Sequence, residues 1–141
     1  MTEQAYPPGD GVRRLQRLVG TWRVHGGATG TVAYEWMNDY FLMQRVALEH
    51  DGNAITGLEI IGHPRPFGEG PGADVRSRFY GSDGSTLDYV YEIEGDTLTI
   101  WGGERGSPAY YRGTFENDTV DGAWVFPGGG GYASTMTREK S

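Results

Sequence analysis

The 141 residues carry 19 acidic against 12 basic side chains, a net charge of −7, and 24 glycines beside 4 Trp, 9 Tyr and 5 Phe, with no cysteine. That balance repels a nucleic-acid phosphate backbone, and the missing thiols exclude disulfides, thiolate nucleophiles and cysteine-based zinc sites. A chain of this size buries a substantial core, and one rich in glycine and aromatics favours short strands and tight turns.

Residues 1–9, with Pro7 and Pro8, read as a flexible N-terminal arm, and residues 10–141 as one domain. No apolar run approaches the roughly 20 residues of a membrane span, and the start lacks the apolar stretch of a signal peptide. The expected location is cytoplasmic, with neither membrane nor nucleic acid as a partner. Asp10 is placed as the N-cap of a short helix in which Val12, Leu15, Leu18 and Val19 recur at helical spacing and which Gly20 ends. So short a helix is marginal alone and must lie on an apolar surface. Its arginines, Arg13, Arg14 and Arg17, read as a solvated face.

From Thr21 onward the apolar residues alternate with polar ones, the period of a strand. Strand-like runs cover 21–26, 29–37, 40–49, 54–62, 75–81, 86–94, 97–102, 109–116, 120–126 and 131–138. Turn chemistry separates them, with Asp51-Gly52, Gly95-Asp96 and Asn117-Asp118 as the sharpest signals. Only residues 63–74, with their prolines and glycines, form a long loop. The pattern predicts an all-β protein: an up-and-down antiparallel β-barrel of about ten strands, with the short N-terminal helix capping one end. An open β-sandwich is the structural alternative.

The stretch Leu18-Val19-Gly20-Thr21-Trp22 is answered at the other end by Met136-Thr137-Arg138. Between them lie Gly57-x-Glu59-Ile60-Ile61-Gly62, Gly122-x-Trp124 and Gly131-Tyr132. In these motifs and their order the chain resembles the calycin superfamily, which includes lipocalins and fatty-acid-binding proteins, and within it a bacterial lipocalin-like family of unknown function. The resemblance implies a ten-stranded barrel with an interior cavity. It also implies that Gly20, Trp22 and Arg138 close the barrel, Trp22 plugging one end with Arg138 across its ring, where a cation–π contact adds about 0.5–2 kcal/mol. It transfers no catalytic residues. Nitrobindin-like haem proteins share the Gly-x-Trp opening, but a histidine late in the barrel ligates their haem. Here no histidine follows His63, so neither haem nor another cofactor is expected.

His25, His50 and His63 read as turn residues facing solvent, with His50 and His63 at opposite ends of one hairpin, so no metal site is expected. His63 opens the long loop, a candidate cover for a barrel mouth. Among carboxylates, Asp88 and Glu92 belong to an outer, wet face, since they alternate with Tyr89, Tyr91 and Ile93. Glu35 lies mid-strand. Glu59 sits in an apolar run, and an inward Glu59 needs a donor such as Arg45 or Arg78. No nucleophile elbow, phosphate loop, dinucleotide fingerprint or zinc-protease motif occurs, and the glycine-rich 102–106 and 128–131 stretches read as hairpin tips.

Period-two alternation selects Tyr34, Trp36, Tyr89, Tyr91, Tyr111 and Trp124 as cavity lining, and Gln44 and Glu59 join them as polar groups in otherwise apolar runs that could orient a ligand. The facing of the third strand stays open between Phe41/Met43 and Leu42/Val46. Tyrosine and tryptophan tips seek polar partners when buried, so the expected ligand is a small hydrophobic or aromatic molecule bound without chemistry. An isomerase- or cyclase-type enzyme using the same cavity, and an interaction module with a filled barrel, are the alternatives.

Overall fold

The computed structural model describes residues 5–140. Ten strands follow a short helical segment: β1 (Gly20–Gly26), β2 (Thr29–Trp36), β3 (Phe41–His50), β4 (Asn53–Gly62), β5 (Val75–Gly81), β6 (Thr86–Glu94), β7 (Thr97–Gly102), β8 (Tyr110–Glu116), β9 (Thr119–Val125) and β10 (Tyr132–Arg138). Each pairs antiparallel with its chain neighbours, and β1 pairs with β10, so the sheet closes into a barrel without an edge. The meander expected from the turn spacing is therefore a closed barrel, not a sandwich. The Asp51-Gly52 turn shows why the spacing is informative. Both residues have positive φ, 51° and 78°, as a two-residue hairpin turn with the twist of its flanking strands requires.

The helical segment is shorter and tighter than its periodicity predicts. One α-helical turn, α1 (Asp10–Arg13), runs into a 3-10 stretch over Arg14–Leu18. Gly9, not Asp10, occupies the N-cap, and no side chain caps the helix; Asp10 instead pairs with Arg13 at 3.1 Å. Val12, Leu15 and Leu18 are buried, 0–1% exposed, where they enter one end of the barrel. The arginines are not all solvated. Arg17 donates to the Gly95 carbonyl at 2.9 Å, pairs with Asp96 and lies 4.1 Å above the Phe115 ring, fastening the segment to the barrel rim.

Residues 5–9 carry no regular structure, and Tyr6 lies beneath the Arg65 guanidinium and accepts from Tyr40 through its carbonyl. The first four residues of the expected N-terminal arm, like the final Ser141, lie outside the described residues. Among the described residues no helix is long and apolar enough to cross a membrane.

Trp22 is fully buried, and its register partner across the closing strands is Arg138. The guanidinium lies 4.2 Å from the indole centroid. A helix ends with carbonyls that have no partner inside it, and this pair supplies them. Arg138 Nη2 donates to the Arg17 carbonyl at 2.7 Å, Trp22 Nε1 to that of Leu18 at 2.7 Å, and Arg138 Nη1 to that of Val19. Gly20 has φ 130°, and a Cβ there would meet Arg138 Nη1 at 2.8 Å. Glycine at this position thus answers both a backbone conformation and a close approach.

Candidate functional site

Inward-facing residues divide by depth. At the helix-capped end Leu15, Leu18, Trp22, Leu42, Ile61 and Val120 are fully buried and pack together. Past that plug the inward positions turn aromatic, and the side chains leave a cavity of about 220 Å3 that extends toward the opposite, uncapped end. Its wall includes Tyr34 from β2, Gln44 from β3, Glu59 from β4, Tyr89 and Tyr91 from β6, Tyr111 from β8 and Trp124 from β9. The period-two alternation of each strand places these side chains inside. The pairing of β2, β3 and β4 sets Tyr34, Gln44 and Glu59 side by side in one row. That register also answers the facing of β3: Leu42 and Gln44 point in, with Val46 on the cavity wall.

Trp36 does not reach the cavity. It shares the inward face with Tyr34 but lies two residues nearer the capped end, where its Nε1 donates to Gln16 Oε1 at 2.6 Å and docks the 3-10 segment. Alternation assigned the face, while the depth at which the helix enters decided what the side chain meets. Conversely, aliphatic residues in the same alternation complete the wall, among them Val24, Leu48, Ile55 and Ile100, together with Phe79 and Tyr132. The aliphatic ones carry no polar tip to single them out in the sequence.

Among the described residues Glu59 is the one carboxylate on the cavity wall, and it is 4% exposed. Its donors are not the expected arginines. Arg45 faces Glu35 at 3.9 Å and Arg78 holds Asp88 at 2.7 Å, both outside the barrel. Ser77 Oγ instead donates to Glu59 Oε2 at 2.5 Å, and Tyr91 lies on the same stretch of wall. Gln44 Nε2 donates to the Tyr34 hydroxyl at 2.9 Å. Burial pushes the Glu59 carboxyl up from 4.5 to about 7, against the opposing pull of the Ser77 and Tyr91 hydroxyls. Burial, followed by the charge of Glu59, pushes Tyr89 up to about 12 and holds the Tyr34 and Tyr91 hydroxyls well above the usual tyrosine range. Tyr111 is raised by burial and donates to the Ser134 carbonyl at 3.0 Å. These tyrosines are neutral hydrogen-bonding groups at any physiological pH.

Aromatic rings line the route to the uncapped end. Trp124 lies 5.4 Å from Tyr111 and stacks on Phe126 at 6.0 Å, and Phe126 is 37% exposed. Tyr132 stacks on His50 at 4.1 Å, and His50 Nδ1 bonds to the Gly27 carbonyl at 2.7 Å. His63 stands at the capped end. Its Nε2 accepts from the Val12 amide at 3.2 Å and its Nδ1 meets the Gly72 carbonyl at 2.9 Å, so the 63–74 loop is tied to the helix and not to the mouth. His25 is exposed beside Thr137. The three histidines lie apart, and among the described residues no group of His, Asp and Glu is arranged to hold a metal ion.

The outer face of β6 is only partly wet. Asp88 is exposed, but Val90 on the same face is fully buried. It lies between Arg76 and Trp101 in the sheet register, beside ion pairs that join Arg76 to Glu104 and Arg105 to Asp74 and Glu92. Strand alternation does not reveal such a cover, because Glu104 and Arg105 come to it from the loop between β7 and β8.

No protein-family model matches the chain, and no curated protein is similar enough in sequence to match it.

Proposed function

We propose that this chain is a calycin-like binder of a small, largely aromatic molecule held inside the barrel. The observation that carries the reading is the cavity of about 220 Å3, walled by Tyr34, Tyr89, Tyr91, Tyr111 and Trp124 and plugged at one end only. Its size selects the ligand. An engineered apolar cavity of about 150 Å3 takes up benzene, and drug-sized sites run to about 300–1,000 Å3. A substituted single ring or a compact bicycle matches the space, and planar rings match the wall.

Calorimetric titration with indole tests the reading. The expected result is saturable binding at one site, weakened about fivefold by Tyr91→Ala or Trp124→Ala through lost aromatic contact. Tyr80→Ala, on the exposed outer face, leaves the affinity unchanged. The same affinity in all variants, or no saturable heat, would leave the reading without a site.

A second reading, proton-transfer catalysis of the isomerase or cyclase kind, draws on Glu59. A carboxyl at about 7 inside a cavity is matched to moving a proton near neutrality. Exchange of the α-protons of 2-indanone with solvent deuterium, faster than in buffer and lost in Glu59→Gln, would favour catalysis. Exchange at the buffer rate favours binding alone.

A further inference from the structure

Among the described residues the cavity wall carries one carboxylate, Glu59, set among neutral polar groups. Ser77 donates to Glu59, while Gln44 donates to Tyr34. An ionised carboxylate offers about four lone-pair positions, and the Ser77 hydroxyl leaves room for a further donor. Among the described residues no lysine, arginine or histidine lies on the cavity wall. The arginines of the neighbouring strands point outward, Arg45 toward Glu35, Arg76 toward Glu104 and Asp74, and Arg78 toward Asp88. The groups facing Glu59 from the surrounding strands are Tyr34 on β2, Gln44 on β3, Ser77 on β5, and Tyr89 and Tyr91 on β6, none of them cationic. A buried carboxylate without a countercharge is unfavourable, and a cation bound against it relieves the penalty.

We infer that the preferred ligand is an arylalkylamine whose ammonium group donates to Glu59 at the plugged end of the cavity, with its ring against Tyr89, Tyr111 and Trp124. The inference rests on the reading of the cavity as a ligand site. Depth supports this orientation. Glu59 lies toward the capped end of β4, and the purely apolar or aromatic residues Ile55, Leu87 and Phe126 lie toward the mouth. The tyrosine and tryptophan faces favour an ammonium further by cation–π attraction. The same carboxylate repels an anionic ligand. Because burial holds the Glu59 carboxyl near neutrality in its titration, amine affinity rises with pH as the carboxylate forms. It then stays level until the amine itself loses its proton.

Three nearly isosteric probes test the inference by calorimetry on the full chain: 2-phenylethylamine, 2-phenylethanol and phenylacetate. The expected order is amine, then alcohol, then acid, with the amine favoured at pH 8 by about tenfold, the worth of a charge-assisted hydrogen bond. The advantage shrinks toward pH 5.5 in the unaltered protein. Glu59→Gln, which keeps the shape and can still accept from Ser77, removes the advantage and leaves 2-phenylethanol bound. The pH series stands independently of whether the variant folds. An amine bound no better than the alcohol at pH 8, or an advantage that survives Glu59→Gln, would overturn the amine assignment while leaving the binding cavity intact. Failure of all three probes to bind would overturn both.

Discussion

The two ends of the barrel use the same alternating strands to opposite effect. At the capped end the 3-10 segment inserts Leu15 and Leu18 beside Leu42, Ile61 and Val120, and none of these side chains retains solvent exposure. At the other end no element of the described residues enters, and tyrosines, a tryptophan and aliphatic side chains stand around a space. Apolar side chains remain in solvent there, with Leu87 at 49% and Phe126 at 37% exposure. The contrast shows that a barrel of this size is filled only where the chain supplies extra side chains from outside the sheet. It also divides the polar requirements. The capped end uses Arg138 and Trp22 to satisfy helix carbonyls, whereas the cavity retains a carboxylate served only by neutral donors.

If the capped end is the rigid plug, truncating its centre has the largest effect. Trp22→Ala should lower stability by about 3–5 kcal/mol, read from denaturant unfolding, and Trp124→Ala by about half as much or less. Equal losses would break the distinction between plug and wall. The next effect concerns Glu59 and pH. Its folded value of about 7 lies above the ordinary 4.5, so between these values the folded state binds more protons than the unfolded chain. Its contribution is therefore fully favourable below 4.5 and is lost as pH rises through about 7. Glu59→Gln should match the unaltered protein at low pH and exceed it by roughly 3 kcal/mol at pH 8. A difference that does not vary with pH would contradict the burial of an unpaired carboxyl. Arg138→Gln removes a cation–π contact, donors to the Arg17 and Val19 carbonyls and an ion pair with Asp118, and should cost about 2 kcal/mol. Arg138→Lys, lacking the planar fork, should recover only part of that. The smallest effect belongs to the mouth: Phe126→Ser should stay within about 0.5 kcal/mol of the unaltered protein, checked by thermal melting. A large loss there would mean that the mouth is core.

Much of this was legible in the residues themselves. Alternation and turn chemistry are local, so strand order, the Asp51-Gly52 turn and the inward faces of Tyr34, Tyr89, Tyr91, Tyr111 and Trp124 could be read directly, whereas the facing of Gln44 and Glu59 needed the register of β2, β3 and β4. Depth along the barrel is not local. It depends on where the helical segment enters, which is why Trp36 meets Gln16 and not the cavity. Partners across the sheet are also set by register. Ser77, a small residue without a pattern of its own, therefore escaped notice as the donor to Glu59, where longer arginines were expected. Burial of Val90 on an outer face depends on a loop that folds back, and no periodicity encodes that.

The central claim, a small-molecule cavity walled off from the plug, is tested most directly by the indole N–H signals of the 4 tryptophans in a 15N-labelled sample titrated with 2-phenylethylamine. The account predicts a saturable shift of the Trp124 signal at one equivalent, while Trp22 and Trp36, held by hydrogen bonds to Leu18 and Gln16, stay in place. No saturable shift at Trp124, or a shift of Trp22 as large as that of Trp124, would contradict it.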